Sequence, residues 1–190
     1  MAILIIGVVL FFGAHSVRMV APGFRDAQIS GRGEATWKGL YALVSLIGIV
    51  LIGWGWAMWR PDAAFLYEPP GFMRHITSLL VTLGFIGIFA AYLPMSHIKA
   101  RLKHPFIIGI ALWALGHALA NGDLASLVLF GVFLVYSVIY WFAANARPVT
   151  EEPEAPQGRN DLGAIFAGVI SSIIFVVMVH GPLIGVAPFG

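Results

Sequence analysis

Residues 124–144 read LASLVLFGVFLVYSVIYWFAA, a run of 21 residues without a charged side chain. A helix of this length rises about 30 Å, which matches the hydrocarbon core of a bilayer. Backbone polar groups in lipid must be satisfied inside the segment itself, and a helix satisfies them. The stretch therefore predicts a membrane-spanning α-helix, and it decides the fold class.

Five more apolar stretches have the same character. They lie at about residues 2–17, 39–59, 76–95, 105–120 and 162–184. Charged residues make up 11% of the 190-residue chain, whereas globular domains carry about 25%. We therefore predict an all-α, polytopic transmembrane helical bundle of about six helices, with a single transmembrane domain over residues 1–190.

The basic residues alternate between the connections. Nine of the 11 Lys and Arg residues lie in the loops after the first, third and fifth predicted helices, and only Arg60 and Arg74 lie on the other side. Because Lys and Arg accumulate in cytoplasmic loops, we predict that both termini face the periplasm of a bacterial inner (cytoplasmic) membrane. We expect the same loops to face the anionic head groups of the lipid bilayer rather than nucleic acid.

The connections before and after the fifth predicted helix differ in character. The link Asn121-Gly122-Asp123 is very short, so it predicts an antiparallel helix hairpin. Asn or Gly can end a helix in the left-handed conformation, and Asp123 can cap the next helix. Residues 147–160 are rich in Pro and Glu, and this composition predicts a flexible cytoplasmic loop.

The last predicted helix carries two rows of small residues at four-residue spacing. The rows are Gly163, Ala167, Ser171 and Ala164, Gly168, Ser172. Small residues at this spacing allow another helix to approach closely in a membrane. We predict packing through this helix, either within the bundle or with a second copy in a homo-oligomer.

Histidines are the main candidates for chemistry, because ionisable side chains inside membrane helices are rare and usually functional. The chain has six His and no Cys, so thiolate catalysis and Cys-ligated iron–sulfur clusters are excluded. His117 stands in the middle of a predicted helix, where an imidazole without a partner is costly in lipid. It is either a ligand or a buried hydrogen-bonding group.

His15 and His117 are predicted at similar depths in the membrane. At about 1.5 Å per helical residue they differ by roughly 7–8 Å in depth, so one cofactor could bridge them if their helices are neighbours. His104 is predicted at the inner boundary of the membrane. The remaining histidines have simpler interpretations as solvated or backbone-bonded residues: His75, His97 and His180.

Two stretches of the sequence resemble a known family. The first is HSVR at residues 15–18 with WKGLYALVS at 37–45, and the second is KHP at 103–105 with LWALGHALANGD at 112–123. Together they resemble the NnrU family of bacterial membrane proteins over nearly the whole chain. The resemblance implies an association with denitrification, in support of nitrite and nitric oxide reduction.

The same resemblance implies a cofactor. Plant and cyanobacterial relatives are the 15-cis-ζ-carotene isomerases, which use a haem b held by histidine to isomerise a polyene. This implies haem b here, with His15 and His117 as the axial iron ligands, His104 as a nearby family histidine, and a hydrophobic small-molecule substrate. The isomerases carry a Cys three residues before the second histidine. Ala114 stands there in this chain, so a thiolate ligand is not available.

Two other classes of function stay open. KHPFIIG at residues 103–109 is similar to the RHPxYxG motif of membrane methyltransferases that use S-adenosylmethionine, and a helix at Glu151 and Glu152 would then help to bind that molecule. A non-catalytic transporter or assembly factor would instead need a polar path between helices. Candidate residues for such a path are Ser45, Thr77, Thr82 and Tyr136.

Overall fold

The computed structural model of the protein describes residues 1–148 and 154–189. Its helices are α1 (Ala2–Val20), α2 (Pro22–Arg32), α3 (Glu34–Trp59), α4 (Met73–Tyr92), α5 (His97–Leu102), α6 (Pro105–Ala120), α7 (Leu124–Asn145), α8 (Gly158–Ile174) and α9 (His180–Ile184). A 3-10 turn at Arg60–Asp62 extends α3, and a π-helical turn at Phe175–Val179 joins α8 to α9. The all-α prediction is confirmed.

Five of the described helical stretches are long and apolar enough to cross a membrane, and α6 is a shorter apolar helix of 16 residues. Large apolar side chains point outward from them. Leu46 is 59% exposed, Phe166 71% and Val177 73%. Soluble proteins rarely expose apolar surface on this scale. The chain is therefore a multi-pass membrane protein, and each of the six predicted spans coincides with an apolar helix.

Two helices were not predicted. Segments that we read as basic loops fold as α2 and α5. Helix α2 begins at Pro22, a residue whose fixed φ angle suits the first turn of a helix. Helix α5 begins after Ser96, whose side chain accepts a hydrogen bond from the backbone of Lys99 at 3.0 Å. Short amphipathic helices of this kind are compatible with the charge that the loops carry.

The chain forms two compact units. Unit 1 comprises Met1–Leu66 and Asp123–Val132, and unit 2 comprises Tyr67–Gly122 and Phe133–Gly190. Helix α7 therefore begins in unit 1 and ends in unit 2. The prediction of a single transmembrane domain stays a prediction.

In unit 1, α1 packs along α3 through glycines that allow the two backbones to touch. A Cβ atom added at Gly7 would meet the backbone of Ile52, and one added at Gly55 would meet the backbone of Leu4. Leu4 and Ile52 are almost fully buried at this contact. Close backbone approach through small residues is the usual means of packing helices in lipid.

In unit 2, α4 lies between α6 and α8. A Cβ atom added at Gly84 or Gly109 would meet the backbone of the other helix, so α4 and α6 approach as closely as α1 and α3. The Thr82 hydroxyl pairs with the Ser172 hydroxyl of α8 at 2.8 Å. Such interhelical hydrogen bonds between hydroxyl groups are a second common means of joining helices in membranes.

One of the two predicted small-residue rows on α8 is used inside unit 2. Ala164, Gly168 and Ser172 are buried, and a Cβ atom added at Gly168 would meet the backbone of Ile86 in α4. The other row, which begins at Gly163, is only half-buried. The predicted homo-oligomer through this helix stays a prediction.

The link between α6 and α7 is partly as expected. Asp123 caps α7, because its carboxylate accepts a hydrogen bond of 2.8 Å from the backbone N–H of Ser126. The prediction of a left-handed residue at the end of α6 is wrong. Asn121 is extended at φ −128° and ψ 114°, and Gly122 has no positive φ. The extended link pairs with the segment after α3: the Leu124 N–H donates to Ala64 at 2.9 Å.

The second connection can be compared with its prediction only in part. Helix α7 ends at Asn145, before the predicted loop at residues 147–160 begins. Helix α8 begins at Gly158, so the last three residues of the predicted loop are helical. Residues 149–153 lie outside the described residues, so the predicted flexibility there stays a prediction.

Candidate functional site

His117 lies in the last turn of α6, and hydrogen bonds hold both its ring and its backbone. The ring Nδ1 donates to the carbonyl oxygen of Trp113 at 2.8 Å, and the Asn121 amide donates to the His117 carbonyl at 2.8 Å. A carbonyl can only accept, so Nδ1 carries a proton, and in the neutral imidazole the lone pair is then on Nε2. Metal-ligating histidines are commonly oriented in this way.

Helix α6 is fixed to α4 directly beside this residue. The Thr77 hydroxyl donates to the carbonyl oxygen of Gly116 at 2.7 Å. Aromatic rings surround the imidazole: the Trp113 ring centre lies 5.2 Å from that of His117, and Phe133 of α7 meets Trp113 edge to face at 5.3 Å. The ring of His117 is therefore held in an apolar, aromatic setting.

His180 is the histidine that the structure brings to His117. Their ring centres lie 6.3 Å apart, and their planes are 13° from parallel. The Nδ1 atom of His180 donates to the carbonyl oxygen of Val186 at 2.7 Å. The sequence predicted that His180 bonds to the backbone, and its Nδ1 does so. The sequence gave no indication that His180 lies beside His117.

An irregular turn precedes His180. Residues Phe175–Val179 form a π-helix, and the His180 N–H donates to the Phe175 carbonyl oxygen five residues earlier. Pro182 explains the irregularity, because proline provides no N–H for the regular helical bond and its ring displaces the preceding turn. The combination of an apolar run with Gly-Pro just after a histidine is the sequence signal that could have predicted this turn.

His15 lies in unit 1, in the last two turns of α1. Its Nδ1 donates to the carbonyl oxygen of Phe11 at 2.7 Å, four residues earlier, as His117 does to Trp113. The Phe11 ring stacks on the imidazole at 4.1 Å, and Tyr41 of α3 lies 5.1 Å away. Nε2 again carries the ring lone pair.

His104 is not brought to His117. It is the residue before α6, and its ring donates a hydrogen bond to the Ala144 backbone. Burial, together with the positive charge of Arg147, holds the pKa of His104 below its usual range. His117 follows 13 residues later along the same helix, which separates the two by about 20 Å. His104 and His117 therefore cannot both ligate the same iron.

A buried polar cluster in unit 1 joins the end of α3 to the start of α7. Asp123, 2% exposed, accepts a hydrogen bond from the Ser126 hydroxyl at 2.8 Å and an ion-pair contact from Arg60 at 3.4 Å. Trp56 donates its indole N–H to Ser126 at 3.0 Å, and the Arg60 guanidinium lies over the Trp56 ring at 5.1 Å. Each of these four side chains has a polar partner within the cluster, so we interpret the cluster as structural.

An apolar groove of about 300 Å³ lies between α6 and the unit 2 part of α7. Leu112, Leu134 and Phe142 are among its lining residues. Ser137 and Trp141 also line it, and among the described residues neither the buried Ser137 hydroxyl nor the Trp141 indole nitrogen has a hydrogen-bond partner. The groove is suited to an apolar molecule that carries a hydrogen-bond acceptor.

Two of the four residues named for the polar path of a transporter have other roles in the structure. Thr77 and Thr82 make interhelical hydrogen bonds rather than presenting their hydroxyls along a path. Glu151 and Glu152, which the methyltransferase reading needs on a helix, lie outside the described residues. Among the described residues, no group of three or more His, Asp or Glu side chains is placed to hold a metal ion.

These features define a class: a multi-pass α-helical membrane protein whose helices hold oriented imidazoles in apolar surroundings. Residues 3–188 match the family described as NnrU protein, so the chain belongs to the NnrU family. No curated protein and no solved structure matches the sequence. The family resemblance expected from the HSVR and LWALGHALANGD stretches is confirmed.

Proposed function

We propose that this protein binds haem b in a bacterial inner membrane, with both termini in the periplasm. The observation that carries the proposal is the shared geometry of His15 and His117. Each donates Nδ1–H to the carbonyl four residues before it, at 2.7 and 2.8 Å, so in the neutral form of each imidazole the lone pair is on Nε2. Neutral imidazoles with a bonded Nδ1 are the usual axial ligands of haem.

The residues around His117 fit such a group. Porphyrin supplies four nitrogen donors itself, so the chain has to provide only axial ligands and an apolar enclosure. Trp113 and Phe133 give that enclosure, and the Thr77 bond to Gly116 fixes the ligand-bearing turn. When bound, haem supplies an iron centre for redox and ligand-binding chemistry.

The proposed physiological role follows the family: support of nitrite and nitric oxide metabolism in denitrification, or isomerisation of a polyene. Ala114 is fully buried one residue after Trp113, where the related isomerases carry Cys. Iron in this chain is therefore held by nitrogen ligands and not by a thiolate. The groove between α6 and α7 supports a hydrophobic substrate that enters from the bilayer.

The test is the haem content of the full-length protein, purified in detergent and measured as the pyridine haemochrome. Wild type is expected to carry haem in proportion to protein, and His117→Ala to lose most of it. His75→Ala is the matched control, because His75 is an exposed imidazole on α4. Full haem retention by both His117→Ala and His15→Ala would contradict the proposal.

The two proposed physiological roles can be distinguished by the molecule that the haem-loaded protein reacts with. Nitric oxide added to the reduced, haem-loaded protein should shift its absorption spectrum if nitrogen-oxide metabolism is correct. Conversion of a cis-polyene in detergent, followed by chromatography of the isomers, would instead support the isomerase reading. The two reactions use the same preparation, so one haem content applies to both.

A further inference from the structure

We infer that the groove between α6 and α7 binds the head group of an isoprenoid quinone from the bilayer, and that Ser137 and Trp141 hold one of its ring carbonyl oxygens. The inference rests on the proposed function for the purpose that this molecule would serve, because it names the class of the hydrophobic molecule proposed there. The binding itself can be measured with or without haem.

The groove lies within unit 2, between one face of each helix. On α7 its lining residues recur at three- and four-residue spacing from Leu134 onward, so they share one face of the helix. Val138 and Phe142 are 46% and 63% exposed, so one side of the groove opens to the surrounding lipid. A volume of about 300 Å³ is at the lower end of the range of small-molecule sites, about 300–1,000 Å³. It suits a single ring whose apolar tail extends into the bilayer.

The Ser137 hydroxyl lies at the wall of this groove as an unused donor. Ser137 is 1% exposed, and among the described residues its hydroxyl has no hydrogen-bond partner. A serine in a helix commonly donates to the carbonyl four residues earlier, as Ser78 does to Arg74 at 2.8 Å. Because a buried hydroxyl without a partner is costly in lipid, the hydroxyl of Ser137 is suited to an acceptor that a ligand supplies.

The indole nitrogen of Trp141 is a second unused donor in the same groove. It too has no hydrogen-bond partner within the described part of the chain. A buried indole N–H usually has one, as Trp56 shows by donating to Ser126 at 3.0 Å. The Trp141 ring also offers a flat apolar surface, and planar rings pack well on such a surface.

One carbonyl oxygen can serve both donors. Ser137 and Trp141 are four residues apart on α7, so their side chains are neighbours on the helix surface. A carbonyl oxygen has two lone pairs and can accept two hydrogen bonds. Both donor atoms have almost no exposed surface, so the oxygen reaches them when neighbouring side chains of the groove turn aside, as in induced fit.

The depth of the two donors favours a quinone over a phospholipid. Trp141 and Ser137 lie four and eight residues before Asn145, the last residue of α7, which places them about 6 and 12 Å inside that end of the helix. The ester carbonyls of a phospholipid stay at the edge of the hydrocarbon core, next to the head groups. A carbonyl that dissolves in the core can reach both donors.

The chemistry of the donors also distinguishes the two proposed physiological roles. A hydrocarbon polyene has no oxygen to accept these hydrogen bonds, and it would leave both donors unpaired in a dry groove. A quinone pairs them and still places an isoprenoid tail on the apolar walls. The groove therefore favours the nitrogen-oxide role over isomerisation of a hydrocarbon.

The test is calorimetric titration of the purified full-length protein in detergent with decylubiquinone, a ubiquinone with a short alkyl tail. Ser137→Ala and Trp141→Phe each remove one donor and little volume. We expect each variant to bind about fivefold more weakly than wild type, the usual effect of losing one neutral hydrogen bond. Ser78→Ala and Trp54→Phe are matched controls outside the groove and should bind like wild type.

The unfolding temperature without quinone separates binding from a structural role. The Ser137 hydroxyl has no described partner to lose, so Ser137→Ala should unfold at the wild-type temperature or above it. A lower unfolding temperature together with an unchanged affinity for decylubiquinone would assign the hydroxyl to packing and overturn the inference. A phospholipid that native mass spectrometry finds on the protein, and that the quinone does not displace, would also overturn it.

The inference and the proposed function fail in different ways. Haem-loaded protein that binds no decylubiquinone, or that binds it equally well in Ser137→Ala and Trp141→Phe, would overturn the inference and leave the proposed function intact. Wild-type protein that carries no haem but binds the quinone through these two residues would contradict the proposed function and support the quinone site.

Discussion

The indole nitrogen of Trp56, near the end of α3, donates a hydrogen bond of 3.0 Å to the hydroxyl of Ser126 in the first turn of α7. Ser126 in turn donates to Asp123, which also receives Arg60. One buried carboxylate therefore ties the start of α7 to the end of α3. Its removal would leave the helix end and the guanidinium without their acceptor.

Asp123→Ala is therefore expected to lower the stability of the protein in detergent. Hydrogen bonds to a charged group contribute about 1.5–3 kcal/mol each, so the loss should be about 2 kcal/mol or more. Thermal unfolding followed by circular dichroism measures it. Asp62→Ala is the control, because Asp62 is exposed in the neighbouring 3-10 turn. Equal unfolding temperatures for the two variants would show that the cluster is not structural.

The glycine contact between α1 and α3 gives a matched pair of substitutions. A Cβ atom at Gly55 would meet the backbone of Leu4, whereas one at Gly53 would meet nothing within 4 Å. We expect Gly55→Ala to destabilise by about 1–3 kcal/mol, the usual cost of overpacking. Gly53→Ala should be neutral or slightly stabilising, because alanine is the better helix former. Equal effects would contradict the observed contact.

The attachment of α5 to α8 depends on Asp161. Its carboxylate accepts bonds from the Ile98 N–H at 2.8 Å, the His97 N–H at 3.1 Å and the His97 ring at 2.7 Å. Asp161→Ala should therefore release the start of α5, with faster hydrogen exchange at residues 97–102. Asp26→Ala, which removes an exposed carboxylate in α2, should leave exchange in α5 as in wild type. Unchanged protection in Asp161→Ala would exclude this capping role.

His104 gives a prediction about pH. Because its pKa in the folded protein lies below the ordinary value of 6.5, the unfolded chain takes up a proton more readily than the folded chain. Stability is therefore unaffected well above that value and falls as the pH is lowered through it. His104→Gln should weaken this fall in a series of unfolding experiments from about pH 8 to about pH 5. An identical fall in the variant would assign it to other groups.

The helices were predictable because lipid imposes a simple requirement on length and polarity. The span at residues 105–120 was predicted with the observed ends, since Pro105 suits a first turn and Asn121-Gly122 interrupts the apolar run. Family membership was also readable from the stretches around His15 and His117. Helix α2 was missed, because charged residues after Pro22 are equally compatible with a loop.

The candidate site was predictable only residue by residue. His117 could be selected from its place inside an apolar helix, but its neighbour could not. His180 lies 63 residues further along the chain, and its approach depends on the packing of α6 and α8 against α4 and on the π-helical turn. Hydropathy carries no information about such contacts. The glycine contacts at Gly7 and Gly55 were missed for the same reason.

The most direct test of the central claim is an absorption spectrum of the purified wild-type protein, first oxidised and then reduced with dithionite. The account predicts a Soret band and, after reduction, sharp α and β bands, as expected for six-coordinate b-type haem with two imidazole ligands. A preparation that is colourless, and stays colourless after incubation with haem, would contradict it.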